Sequence, residues 1–109
     1  MATSYKILGQ SNPPANTQTT VYTTPAANST VISTITICNQ STTAATFCIA
    51  LQKGGASLSS QQYVNFNTPI PGSDTINLTL GLTMAATDVL SANANTASVS
   101  FNVFGSEIY

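Results

Sequence analysis

Between residues 30 and 39 the chain reads TVISTITICN, its longest run of β-branched residues. Val, Ile and Thr are stiff at χ1 and fit a pleated strand better than a helix. A second such run, residues 45–52 (ATFCIALQ), follows after a short polar gap. Further strands are predicted over residues 5–8 (YKIL), 19–24 (TTVYTT), 61–66 (QQYVNF), 74–82 (DTINLTLGL), 88–92 (DVLSA) and 97–104 (ASVSFNVF). Alternation is cleanest in the 74–82 segment, where Ile76, Leu78, Leu80 and Leu82 share one face, and in the last, where Val99, Phe101 and Val103 do. Pro, Gly and Asn/Ser clusters at 25–29, 53–60, 68–73 and 93–96 mark turns. Residues 83–87 (TMAAT) read as a loop or single turn, although the spacing Leu82, Ala86, Leu90 also fits a short helix. Residues 105–109 read as a tail.

About eight strands with turn signals every 8–12 residues predict an all-β single domain, an antiparallel β-sandwich of jelly-roll or Ig-like type. The body is expected over residues 19–109. Residues 1–18, broken by Pro13 and Pro14, are expected as an N-terminal arm that is either a loosely ordered terminus or a reach toward a neighbouring subunit. The two β-branched runs predict a central hairpin with residues 41–45 as its loop. Setting Ile37 opposite Ile49 and Ile35 opposite Leu51 makes the apolar faces coincide, and a slip of one residue would mismatch them. That register also places Cys38 opposite Cys48 on the other face.

Composition narrows the function. Apolar residues make up 42% of the 109, ordinary for a folded domain, but charged residues only 5%, against about 25% in a typical domain. Lys6 and Lys53 are the only bases; Asp74, Asp88 and Glu107 the only acids. Two lysines cannot neutralise a phosphate backbone, which argues against nucleic acid as a partner. No apolar run approaches the length of a bilayer span, and no basic amphipathic helix is present, which argues against a membrane partner. The first residues lack an apolar signal core, so synthesis without export is expected. Cys38 and Cys48 are then expected as free thiols in a reducing compartment, with no His or further Cys to form a metal site.

No catalytic, cofactor-binding or metal-binding residues are predicted. There is no His to act as general base, and no thiol or hydroxyl has an evident activating partner. The three carboxylates fall at predicted strand starts and in the tail, where solvated or turn-capping roles are expected. Lys53-Gly54-Gly55 has the wrong order for a phosphate loop. The Asn-x-Ser/Thr sequons at Asn28, Asn39 and Asn77 are expected to stay unmodified without export. Tyr5, Tyr22, Tyr63 and Tyr109 are candidates for sugar stacking or for an interface; the first expectation is that each packs on the sandwich with its hydroxyl in water. With so few charges, the strand edges are protected either by Pro and polar loops or by another subunit, and the second is the expectation.

Four segments, SYKILGQ, VYTTPAANSTVISTITICN, TINLTLGLTMAATDVL and SFNVFGSEI, resemble small virion structural proteins of tailed bacteriophages, especially those infecting cyanobacteria. The resemblance runs nearly end to end. It implies a non-enzymatic particle component without cofactors: first, a capsid cement or decoration protein bound to the major capsid protein as a trimer or dimer; second, a tail or fibre-associated protein with a carbohydrate-binding sandwich. It offers no functional residues that map one by one.

Overall fold

The computed structural model describes residues 2–109 and is all-β. Nine strands, β1 (Thr3–Ser11), β2 (Thr19–Thr23), β3 (Ser29–Asn39), β4 (Ala45–Gln52), β5 (Tyr63–Ile70), β6 (Thr75–Leu78), β7 (Leu82–Met84), β8 (Val89–Ala94) and β9 (Val99–Ile108), form two antiparallel sheets. Sheet A runs β1-β9-β3-β6, with β7 pairing β3 beside β6, and sheet B runs β2-β8-β4-β5. The sequence expectation of an antiparallel β-sandwich holds.

The pairings share one logic. Thr3 faces Ile108, Thr19 faces Ala92, Ile35 faces Leu78 and Ala45 faces Ile70. Each pair is nearly symmetric about the loop at residues 53–62. The whole chain is thus one long hairpin with its tip at that loop, rolled up so that β9 meets β3 and β8 meets β4. This is the jelly-roll path, and it selects between the two sandwich types expected from sequence.

The predicted β3–β4 hairpin does not form. β3 lies in sheet A and β4 in sheet B, facing each other across the core. Ile35, Ile37, Phe47 and Ile49 are buried as expected. Two strands that face across a core carry the same inward alternation as two that pair side by side, so the pattern could not separate the cases. Phe47 and Phe101 meet edge-to-face between the sheets, with ring centroids 6.1 Å apart.

β3 also holds two phases of alternation. Thr30 and Ile32 point inward, and so do Ile35, Ile37 and Asn39. A β-bulge between Ile32 and Thr34 opposite β9 absorbs the odd residue. A matching irregularity between Ile7 and Gly9 lies on the other side of β9. Phe104 and Gly105 therefore sit between two bulged neighbours. A Cβ on Gly105 would fall 2.1 Å from the Val31 carbonyl oxygen, so only glycine lets β9 pass β3 this closely.

Three other expectations change. Within residues 1–18, Thr3–Ser11 is an edge strand of sheet A, paired with β9 and longer than the strand expected at 5–8. The predicted tail at 105–109 is the end of β9, with Ser106, Glu107 and Ile108 paired on both sides. The predicted strand 74–82 is two short strands separated at residues 79–81, where Gly81 has a φ of 62°. That break turns Leu80 out to solvent while Ile76, Leu78 and Leu82 pack on the core.

Candidate interaction surface

The two sheets treat their outer faces differently. On sheet B, the outward Ser91 is buried under glutamine side chains. Gln18 Nε2 donates to Ser91 Oγ at 2.7 Å, and Ser91 Oγ donates to Gln52 Oε1 at 2.6 Å. Asn93 Nδ2 closes the network on Gln18 Oε1. Ala50 and Cys48 beside them are buried too, and Cys48 Sγ accepts from the Asn67 backbone N–H at 3.2 Å. Residues of this chain therefore cover the middle of that face.

Sheet A's outer face carries no such cover beside its β1 edge. A shallow groove over the two bulges is lined by Tyr5, Ile7, Val31, Ser33 and Phe104. Tyr5 is 84% exposed and Ile7 54%. Lys6, between them on the strand, points to the opposite face, where its half-exposed side chain places Nζ 2.6 Å from Glu107 Oε1. A second exposed aromatic site is the β5 edge, where Tyr63 and the 63% exposed Phe66 stack edge-to-face at 5.0 Å.

Glu107 is the titratable residue that sequence reasoning misplaced. Expected in a solvated tail, it is 5% exposed. Tyr22 donates its hydroxyl proton to Glu107 Oε2 at 2.5 Å, and the Thr30 hydroxyl stands 2.8 Å from the Tyr22 oxygen. The Lys6 ammonium, then the Tyr22 hydroxyl, hold the Glu107 carboxyl below the usual carboxylate range. Burial, reinforced by the neighbouring carboxylate, pushes the Tyr22 hydroxyl up to about 12. The knot ties β1, β9 and β3 of one sheet to β2 of the other. It is a structural clasp, and the expectation that the Tyr22 hydroxyl sits in water is overturned. No sequence signal could have found it, because Glu107 lies 85 residues from Tyr22 and at the opposite end of the chain from Lys6.

The other carboxylates do what their positions suggested. Asp88 caps a turn, accepting from Gly54 N at 2.8 Å and Ala85 N at 2.9 Å. Asp74 accepts from Thr75 N at 2.9 Å. Cys38 lies half-buried on the outer side of sheet A and Cys48 on the outer side of sheet B, both free, so the opposed pairing expected from the hairpin is absent. Asn39 is buried, with its side chain donating to Thr43 O at 2.9 Å and accepting from Ser41 N and Ser98 Oγ, each at 3.1 Å. That sequon is closed to any modifying enzyme. Among the described residues, no group of three metal-ligating side chains assembles. Among the same residues, no helix is long and apolar enough to cross a membrane.

No family model matches the chain, and no curated protein matches it. Among solved structures, it is similar to a pentameric capsid protein isolated from metagenomic phage sequences, with 19% identity and a TM-score of 0.41. The match covers 95% of this chain and 63% of that one. A superposition this loose transfers neither the pentamer nor the capsid role.

Proposed function

We propose that this chain is a structural component of a tailed-phage virion, and within that class a cement or decoration protein. In this reading it binds the major capsid protein on the head surface, as a dimer or trimer, after assembly in the host cytoplasm. The observation that carries the reading is the jelly-roll strand order combined with a bare, aromatic-bearing outer face on sheet A. Jelly rolls build viral capsid and lectin domains among others, and this link is an analogy of fold. The end-to-end resemblance to small phage virion proteins points the same way. Three of the few ionic groups serve internal contacts: Lys6 with Glu107, and Asp88 at a turn. A shell stabiliser needs rigid sheets and contact surface rather than a reactive centre, and many symmetry-related copies let modest contacts act together.

Immunogold labelling of intact particles tests the proposal. Gold over heads supports it; gold absent from particles sinks it. Gold confined to tails favours the second reading, a tail-associated carbohydrate-binding sandwich. The Tyr63–Phe66 pair at the β5 edge is the observation behind that alternative, since exposed aromatics stack on sugars. A glycan array separates the two readings: reproducible binding that is lost in Phe66→Ala belongs to the second.

A further inference from the structure

Strand β1 leaves a regular stretch of backbone open at the edge of sheet A. It is the longest edge strand among the described residues, and it contains no proline. Ala2 and Tyr109 exchange both backbone hydrogen bonds, with Tyr109 N donating to Ala2 O at 2.8 Å. In an antiparallel ladder such pairs alternate with pairs whose N–H and C=O point away. Ser4 and Lys6 therefore bond inward to β9, and the backbone groups of Thr3, Tyr5 and Ile7 point out of the sheet edge. Tyr5 and Ile7 also carry the exposed side chains beside the groove. The only lysine of the strand, Lys6, is half-exposed and paired with Glu107 on the opposite face, so no charge stands on the outer face beside Tyr5 and Ile7.

β1 has one irregularity of its own, between Ile7 and Gly9, which leaves Thr3–Ile7 regular. The other edges are shorter or more interrupted. β2 has five residues and an irregularity between Thr20 and Tyr22. β5 contains Pro69 and two register shifts. The β6/β7 edge is broken at residues 79–81.

We propose that β1 is a self-association site, where the β1 strand of a second copy of this chain pairs antiparallel about a two-fold axis and joins two sheets A into one continuous sheet. Hydrogen bonding and charge favour the register centred on Tyr5, which pairs the whole open stretch Thr3–Ile7. With Tyr5 opposite its own copy, Thr3 lies opposite Ile7 of the second copy, so all three outward-pointing residues pair with outward-pointing residues. Lys6 then lies opposite Ser4 rather than another lysine. Shifting the axis to Lys6 would set two like charges face to face. Residues directly opposite share a sheet face, so the two Tyr5 rings meet on the outer side and extend the Ile7–Phe104 groove across the axis. An isologous strand pair of this kind closes as a dimer. This deepens the homo-oligomer part of the function proposed above, and it makes the dimer the assembling unit.

Analytical ultracentrifugation of the full chain is the test. The wild-type chain is expected to sediment as a dimer. Tyr5→Lys places two like charges opposite each other at a position 84% exposed in the single chain. It is expected to weaken dimerisation at least about tenfold with an unchanged circular dichroism spectrum. Ile7→Pro removes an N–H that makes no bond to β9, so it blocks the added strand while sparing the chain's own ladder; it too should be monomeric and folded. Tyr5→Cys should cross-link copies under mild oxidation, because Cα atoms in such a pair stand about 5.5 Å apart. A wild-type chain that stays monomeric up to about 1 mM overturns the proposal. So does a Tyr5→Lys variant that remains oligomeric, which would leave the homo-oligomer reading standing with its interface elsewhere. A dimer that dissociates as expected but never labels particles would instead sink the virion reading alone.

Discussion

The two ends of β3 solve one problem with different chemistry. At its start, Thr30 joins the clasp of Lys6, Tyr22 and Glu107; at its finish, Asn39 joins Thr43, Ser41 and Ser98 and lies under the end of β5. The two sites are about 30 Å apart along the strand. Each is a polar plug where the apolar core runs out, and each fastens strands that alternation alone does not join. One end uses a buried carboxylate, the other a neutral amide. A neutral amide has both donors and acceptors, so a single side chain can satisfy backbone and hydroxyl groups from several segments at any pH. A buried carboxylate only accepts, so it needs donors brought to it, and its worth depends on its ionisation.

The largest expected effect breaks the neutral end. Asn39→Ala leaves the Thr43 carbonyl, the Ser41 N–H and the Ser98 hydroxyl without their partner, and should cost about 3 kcal/mol or more in urea denaturation. Its deficit should be the same at pH 4 and pH 8. Glu107→Gln comes next, at about 2 kcal/mol, because the amide still accepts from Tyr22 but no longer pairs with the Lys6 ammonium. Its clearer signature is in the pH profile. Glu107 has a folded-state pKa below its ordinary value of 4.5. Its stabilisation is therefore complete above that ordinary value and is lost as pH falls through the folded one. The wild-type chain should lose stability on that acid limb, and Glu107→Gln should lack the limb; an unchanged limb would place the acid-labile group elsewhere.

Tyr22→Phe should cost about 1–2 kcal/mol by removing one donor to Glu107. It also tests the alkaline side. Tyr22 moves from 10.0 to about 12 on folding, so its contribution is full below pH 10 and is lost as pH rises toward 12. The phenylalanine variant should be flatter there. Lys6→Met should cost a similar amount, about 1–2 kcal/mol, because it leaves the buried Glu107 carboxylate without its cation, while water screens the 48% exposed lysine end. Thermal unfolding at low and high salt checks it: the wild-type advantage should shrink with salt.

The contrast between the ends also marks how far sequence could be read. Alternation named the inward faces of Ile35 and Ile37, of Phe47 and Ile49, and of Val99, Phe101 and Val103, and burial agrees. It failed where a bulge changed phase, as at Ser33, and where a polar residue faced inward, as at Glu107. The interaction surface was half legible. Tyr5 and Ile7 could be placed on one strand, but whether their backbone faced β9 or open solvent follows only from the pairing of Ala2 with Tyr109.

What the residues determined alone is that this chain forms strands, which side of most strands is apolar, and that ionic chemistry is scarce. Those are properties of single segments: β-branching acts on its own backbone, and a two-residue period is written in one stretch. Which strand lies beside which was decided by the tertiary structure. Every strand offers the same backbone N–H and C=O groups, and any apolar face will satisfy another. Only the rolled hairpin as a whole brings Lys6 to Glu107, leaves β1 at an open edge, and sets β3 across the core from β4 rather than beside it.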